Sequence, residues 1–109
     1  MSEQEDNETW LIETGHDVIE KKANVGPGFL RPWERLVYCL WVADYGMRNA
    51  GDLEAAHDLH AAFHDEAKAL AAGLSLPLTR AAFGLSQSDL QDRYFDLFDD
   101  VCVELRGAN

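Results

Sequence analysis

Residues 32 to 51 read PWERLVYCLWVADYGMRNAG, and a helix over this stretch is apolar around nearly its whole circumference. At about 100° per residue, Trp33, Leu36, Val37, Leu40 and Met47 share one broad face, while Tyr38, Trp41, Val42 and Tyr45 cover much of the remainder. Such a helix must be buried. The apolar run is interrupted by Asp44 and is far shorter than the roughly 20 residues that a membrane span needs. The stretch is therefore expected to be the centre of an all-α bundle of four to five helices. Pro32 suits a first helical position and Gly51 suits a helix end.

Outward from this hub the other elements follow from periodicity and punctuation. Trp10, Leu11, Ile12, Val18 and Ile19 give one side of a helix over about Thr9 to Ala23, and the polar residues 1–8 ahead of it read as an acidic, disordered tail. Gly15 weakens that helix by roughly 1 kcal/mol relative to alanine. After the turn cluster Asn24-Val-Gly-Pro-Gly comes the hub. A third helix is expected from about Asp52 to Ala72, with Asp52 as N-cap and Gly73 as stop, and with Leu53, Ala56, Leu59, Phe63, Ala67 and Leu70 as its stripe. A connection with a short helical segment at Thr79 to Phe83 leads to the last helix. This helix starts at Ser86 or Ser88 and runs to Leu105 or Arg106, with Leu90, Tyr94, Leu97, Phe98, Val101 and Leu105 facing the core. Residues 9–106 form one domain.

The chain of 109 residues is 47% apolar and carries 20 acidic against 9 basic residues, for a formal charge of −11. Such a field repels phosphates, so nucleic acid is excluded as a direct ligand and basic partners are favoured. Residues 1–20 hold seven acids and no base, the hub region 21–51 is net positive, and residues 52–109 hold eleven acids and four bases. On the last helix, Asp89, Asp92, Asp96, Asp99 and Asp100 fall opposite the core stripe and are expected to form one exposed ridge. Acids four apart are about 6 Å apart along a helix axis, near two 3.4 Å steps of a DNA strand. A row of carboxylates can thus imitate a row of phosphates.

HDLHAAFH places His57, His60 and His64 on a narrow arc. His60 and His64, four apart, have a spacing on which helices hold zinc, and Glu54, Asp58 or an acid from another helix would complete a shell. Without an HExxH pattern they are weak candidates, and neither a metal nor another cofactor is assigned. Cys39 and Cys102 lie in apolar runs without ligand spacing and read as buried free thiols. No nucleophile elbow or phosphate loop occurs, so no catalytic residue is nominated and an enzyme is not expected. Trp41 and Tyr45 are candidates for an interface. The acidic N-terminus lacks the basic and apolar blocks of a secretion signal, so a cytoplasmic protein is expected, with no membrane partner.

Glu34-Arg35-Leu36-Val37-Tyr38, then Met47-Arg48-Asn49-Ala50-Gly51, an alanine-rich helix and Leu90-Gln-Asp-Arg-Tyr-Phe-Asp-Leu-Phe-Asp-Asp resemble the bacterial DNA-mimic protein family. The resemblance implies an acidic, mainly helical and often dimeric protein that occupies the basic DNA-binding surface of a helix-turn-helix regulator. Where the family has an asparagine, two glycines and aromatic residues, this chain has Asn49-Ala50-Gly51-Asp52. Three functions stand after this reading. The first is an acidic partner-binding domain acting through the ridge, the second an immunity-type protein binding through the aromatic hub, and the third a metal-binding enzyme or sensor using the His57/His60/His64 row.

Overall fold

The computed structural model describes residues 6 to 108 and is all-α. The elements are α1 (Asn7–Val25), a 3-10 turn (Pro27–Phe29), α2 (Pro32–Ala50), α3 (Glu54–Leu59), α4 (Phe63–Gly73), α5 (Pro77–Phe83) and α6 (Gln87–Ala108). Among the described residues no helix is long and apolar enough to cross a membrane. The six α-helices exceed the expected four to five because the third helix is two.

α2 is the hub, as its composition requires. Leu36, Val37, Cys39, Leu40, Val42 and Ala43 are fully or almost fully buried, and the helix packs against α1, α3, α4 and α6. Each large apolar side chain removed from water in this way contributes about 1.5–3 kcal/mol. Glu34, in the first turn of α2, accepts from the backbone N–H of Arg31 at 2.8 Å and from Lys21 Nζ at 2.9 Å. Burial alone would raise the Glu34 carboxyl, but these donors outweigh it and hold the group below its ordinary value. One residue thereby caps α2 and ties it to the end of α1. At the other end Gly51 adopts φ +77°, the left-handed geometry that stops a helix.

α1 starts two residues earlier than the apolar pattern suggests, because the Asp6 carboxylate accepts from Thr9 N–H at 2.8 Å. Asn7 and Glu8, expected in the tail, are therefore helical, while residues 1–5 of that tail lie outside the described residues. Gly15 is no mere weak point. A Cβ there would lie 2.9 Å from Trp41 Cγ, so the absent side chain is what lets α1 close on α2.

The expected continuous helix from Asp52 to Ala72 is broken at His60, whose backbone is extended at φ −155° and ψ 90°. No glycine or proline lies between Asp52 and Ala72, so the break is imposed by packing. In one unbroken helix Leu53, Ala56 and Phe63 would already share an arc of about 80°, and all three are fully buried. What accompanies the turn is that Leu59 is left about half exposed and His60 meets the Tyr38 ring of α2. Asp52 also differs from expectation. Its side chain accepts from Glu54 N–H at 3.0 Å, but Leu53 occupies the N-cap position.

α5 begins at Pro77 rather than Thr79, and its free N–H groups are capped from another helix. Glu104 of α6 accepts from Leu78 N at 2.9 Å and Thr79 N at 2.7 Å. The Thr79 hydroxyl has no partner among the described residues although the residue is fully buried. Thr79→Val, which keeps the shape and removes the stranded hydroxyl, is expected to raise stability by about 1 kcal/mol in urea unfolding. α6 is capped by Ser86, whose hydroxyl accepts from Asp89 N at 3.2 Å, and it continues to Ala108, beyond the expected end at Leu105 or Arg106.

Candidate functional site

α6 buries Leu90, Tyr94, Phe98, Val101, Cys102 and Leu105, which recur every three or four residues and hold one side of the helix on the core. The opposite side carries Asp89, Asp92, Asp96, Asp99 and Asp100, and all five are exposed. At 3.6 residues per turn they fall within an arc of about 100°. Asp92, Asp96 and Asp100 form a row at four-residue intervals that slants across this arc. The ion pairs found among the described residues use none of the five. Asp99 is the one that is engaged, accepting from Asn7 Nδ2 at 2.9 Å.

The two arginines of α6, Arg93 and Arg106, differ in where they lie relative to the ridge. Arg106 turns toward α1, donating to Asn7 Oδ1 at 2.9 Å and lying 5.4 Å from the Trp10 ring centroid. Arg93 is exposed and shares a crevice with Asp100 and Leu97. Val103, well exposed, interrupts the acidic side near its C-terminal end.

Tyr38, Trp41 and Tyr45 stack in sequence along α2, with ring centroids 6.5 and 5.6 Å apart. Trp41 is half-buried against Gly15, whereas Tyr45 and neighbouring Ile12 of α1 are exposed beside a shallow crevice of about 300 Å³. Asp44, which lines that crevice, is almost fully buried. It accepts from Tyr94 Oη at 2.7 Å and from Arg48 Nε at 3.0 Å. Burial pushes the Asp44 carboxyl above its ordinary value, against the downward pull of Tyr94 and Arg48.

The histidine row does not act as a unit. His57 and His64 both pack on Phe63, at ring centroid distances of 4.8 and 5.8 Å. His60, at the break, turns instead toward α2. The His60/His64 pairing expected on one helix is therefore not formed. Nor do Glu54 and Asp58 serve as the acid beside His60. That acid is Glu66 of α4, with Oε1 2.6 Å from His60 Nε2 and 3.4 Å from Cys39 Sγ. Arg35 donates to the other oxygen of Glu66.

Burial would raise the Glu66 carboxyl, but the contacts with His60 and Arg35 outweigh it and leave it lowered. Burial first, and the adjacent Glu66 charge second, push the Cys39 thiol well up. Cys102, the other buried free cysteine, is pushed up to about 12 chiefly by burial. Neither is an activated nucleophile. Beside His60 and Glu66 opens a cavity of about 220 Å³ whose walls include Lys22, Leu30, Arg35 and Tyr38. Local spacing gave no sign of the Cys39–His60–Glu66 cluster, because its members lie on three separate segments brought together by the unexpected break.

Comparison with protein families, with characterised proteins and with solved structures finds no match to this chain.

Proposed function

We propose that this chain is an acidic, non-enzymatic interaction domain that docks its α6 ridge on a basic protein surface, acting as a mimic of the DNA backbone toward a regulator. The observation that carries the reading is the one-sided display of Asp89, Asp92, Asp96, Asp99 and Asp100, exposed and outside the ion pairs found among the described residues. The row Asp92, Asp96, Asp100 repeats at about 6 Å, near two phosphate steps of 3.4 Å. Like charges at this spacing cost a few tenths of a kcal/mol each. Among the described residues the one hydrogen bond the fold makes to these carboxylates is that from Asn7 Nδ2 to Asp99, whereas a surface of lysines and arginines gains complementary charge along the whole row. The resemblance in the hub and α6 supports the same partner class, the DNA-binding face of a helix-turn-helix regulator.

Immobilised protein is expected to retain a basic protein from native-cell lysate at low salt and to release it as salt is raised, since screening shortens the reach of exposed charges to about 10 Å at 0.1 M. Asp92, Asp96 and Asp100→Asn together should abolish that retention while leaving the helical circular dichroism unchanged. Equal retention by the triple variant would reject the ridge. Retention lost instead on Tyr45→Ala would transfer the interaction to the aromatic hub.

A further inference from the structure

We propose that Cys39, His60 and Glu66 form a binding site for one zinc-class divalent ion, open on its fourth side to the cavity lined by Lys22, Arg35 and Tyr38. The three ligand atoms, Sγ, Nε2 and Oε1, all lie within 4.8 Å of one another. Ligand atoms around a tetrahedral ion with bonds of about 2.0–2.3 Å stand roughly 3.6 Å apart. The 3.4 Å between Glu66 Oε1 and Cys39 Sγ is close to that spacing, and the 2.6 Å between Glu66 Oε1 and His60 Nε2 opens as the ion enters between them.

The donor set also selects the ion. A thiolate and an imidazole favour zinc over magnesium or calcium, and one carboxylate completes a neutral first sphere around a doubly charged ion. Cys39 is fully buried, while His60 and Glu66 are part-exposed and line the cavity. Three protein ligands with one open side make an exchangeable site rather than a closed structural one.

The surroundings resemble the support that metal ligands receive. Arg35 holds the outer oxygen of Glu66, which orients the inner oxygen, and the Tyr38 ring lies 5.6 Å from the His60 ring. On binding, the ion replaces the proton that Cys39 Sγ donates to Glu66, and that proton leaves to solvent. The imidazole coordinates through Nε2 and carries its remaining proton on Nδ1. Nothing is oxidised or reduced. The helix break at His60 is what brings the second ligand to the other two, in a stretch whose residues would otherwise continue as a helix.

The test uses full-length, untagged, reduced protein after chelator treatment, with Zn²⁺ followed by calorimetry and Co²⁺ by absorption. One ion per chain and a near-ultraviolet thiolate-to-cobalt charge-transfer band are expected. Cys39→Ser should remove the band, and His60→Ala and Glu66→Gln should each weaken zinc binding by roughly 100-fold or more. His64→Ala, Cys102→Ser and the triple ridge variant should leave it unchanged, which separates this site from the ridge. His60 is part-exposed at a chain turn, so His60→Ala tests the site even if Cys39→Ser does not fold. Absence of the cobalt band from the unmodified protein overturns the proposal. So does zinc affinity equal in His60→Ala and the unmodified protein, which would assign the ion to surface histidines.

Discussion

Phe63→Ala is expected to cost about 4 kcal/mol, read as a lower urea midpoint, and to come close to unfolding the domain. Phe63 is the largest fully buried side chain. Removing a buried phenylalanine costs about 3–5 kcal/mol, through lost transfer energy and an unfilled cavity. The upper half of that range applies because the site cannot collapse easily. Phe63 is the first residue of α4, directly after the turn at His60, and His57 and His64 pack on its ring. A domain of this size is held by only about 5–15 kcal/mol in all. A loss under 1 kcal/mol would show that the ring does not anchor the break between α3 and α4.

Asp44→Ala should be the next most damaging change, at about 3 kcal/mol by the same measurement. The substitution strands Tyr94 Oη, which is buried, and removes both acceptors of Arg48 Nε. Breaking a buried charge pair costs about 3–5 kcal/mol, and the lower figure applies because Arg48 is a third exposed and also meets Glu8 at 3.7 Å. Its guanidinium, about 5 Å from the rings of Phe95 and Phe98, keeps those contacts. Asp44→Asn retains an acceptor for Tyr94 and should cost about 1 kcal/mol.

The pH dependence of this pair has a definite sign. The folded-state value of Asp44 is raised above its ordinary one, so its contribution to stability falls as pH rises through the interval between the two. The gap between the unmodified protein and Asp44→Ala should therefore widen on acidification toward the unfolded-state value near 3.9. Glu34 and Glu66 run the other way. Their folded values are lowered, so their stabilisation is present above the unfolded value and is lost as pH falls through the folded one. A gap that narrows on acidification would contradict the assignment of burial as the dominant influence on Asp44.

The ridge and the cluster differ in how far they can be read from residue order. A helix maps sequence spacing onto direction, so the core stripe of α6 fixes the opposite side as well. Leu90, Tyr94, Phe98 and Leu105 point inward, and the five aspartates must then point out. The cluster of Cys39, His60 and Glu66 has no such rule behind it. Its three residues come from α2, the turn and α4, and no periodicity relates them. Spacing instead pairs His60 with His64, which is sound only if the helix is unbroken.

Amino-acid order by itself determined the all-α class, the central place of residues 32–50, the core side of α6 and the acidic side behind it. Each of these follows from local periodicity and from the cost of leaving apolar surface in water. Tertiary structure alone decided the turn at His60, the partnering of Glu66 with Cys39, the capping of α5 by Glu104 and the need for glycine at position 15. In every one of those cases the deciding contact joins different elements. Local propensity favoured an unbroken helix through His60 by a small amount per residue, and the contacts that accompany the break join His60 to Glu66 of α4 and to the Tyr38 ring of α2.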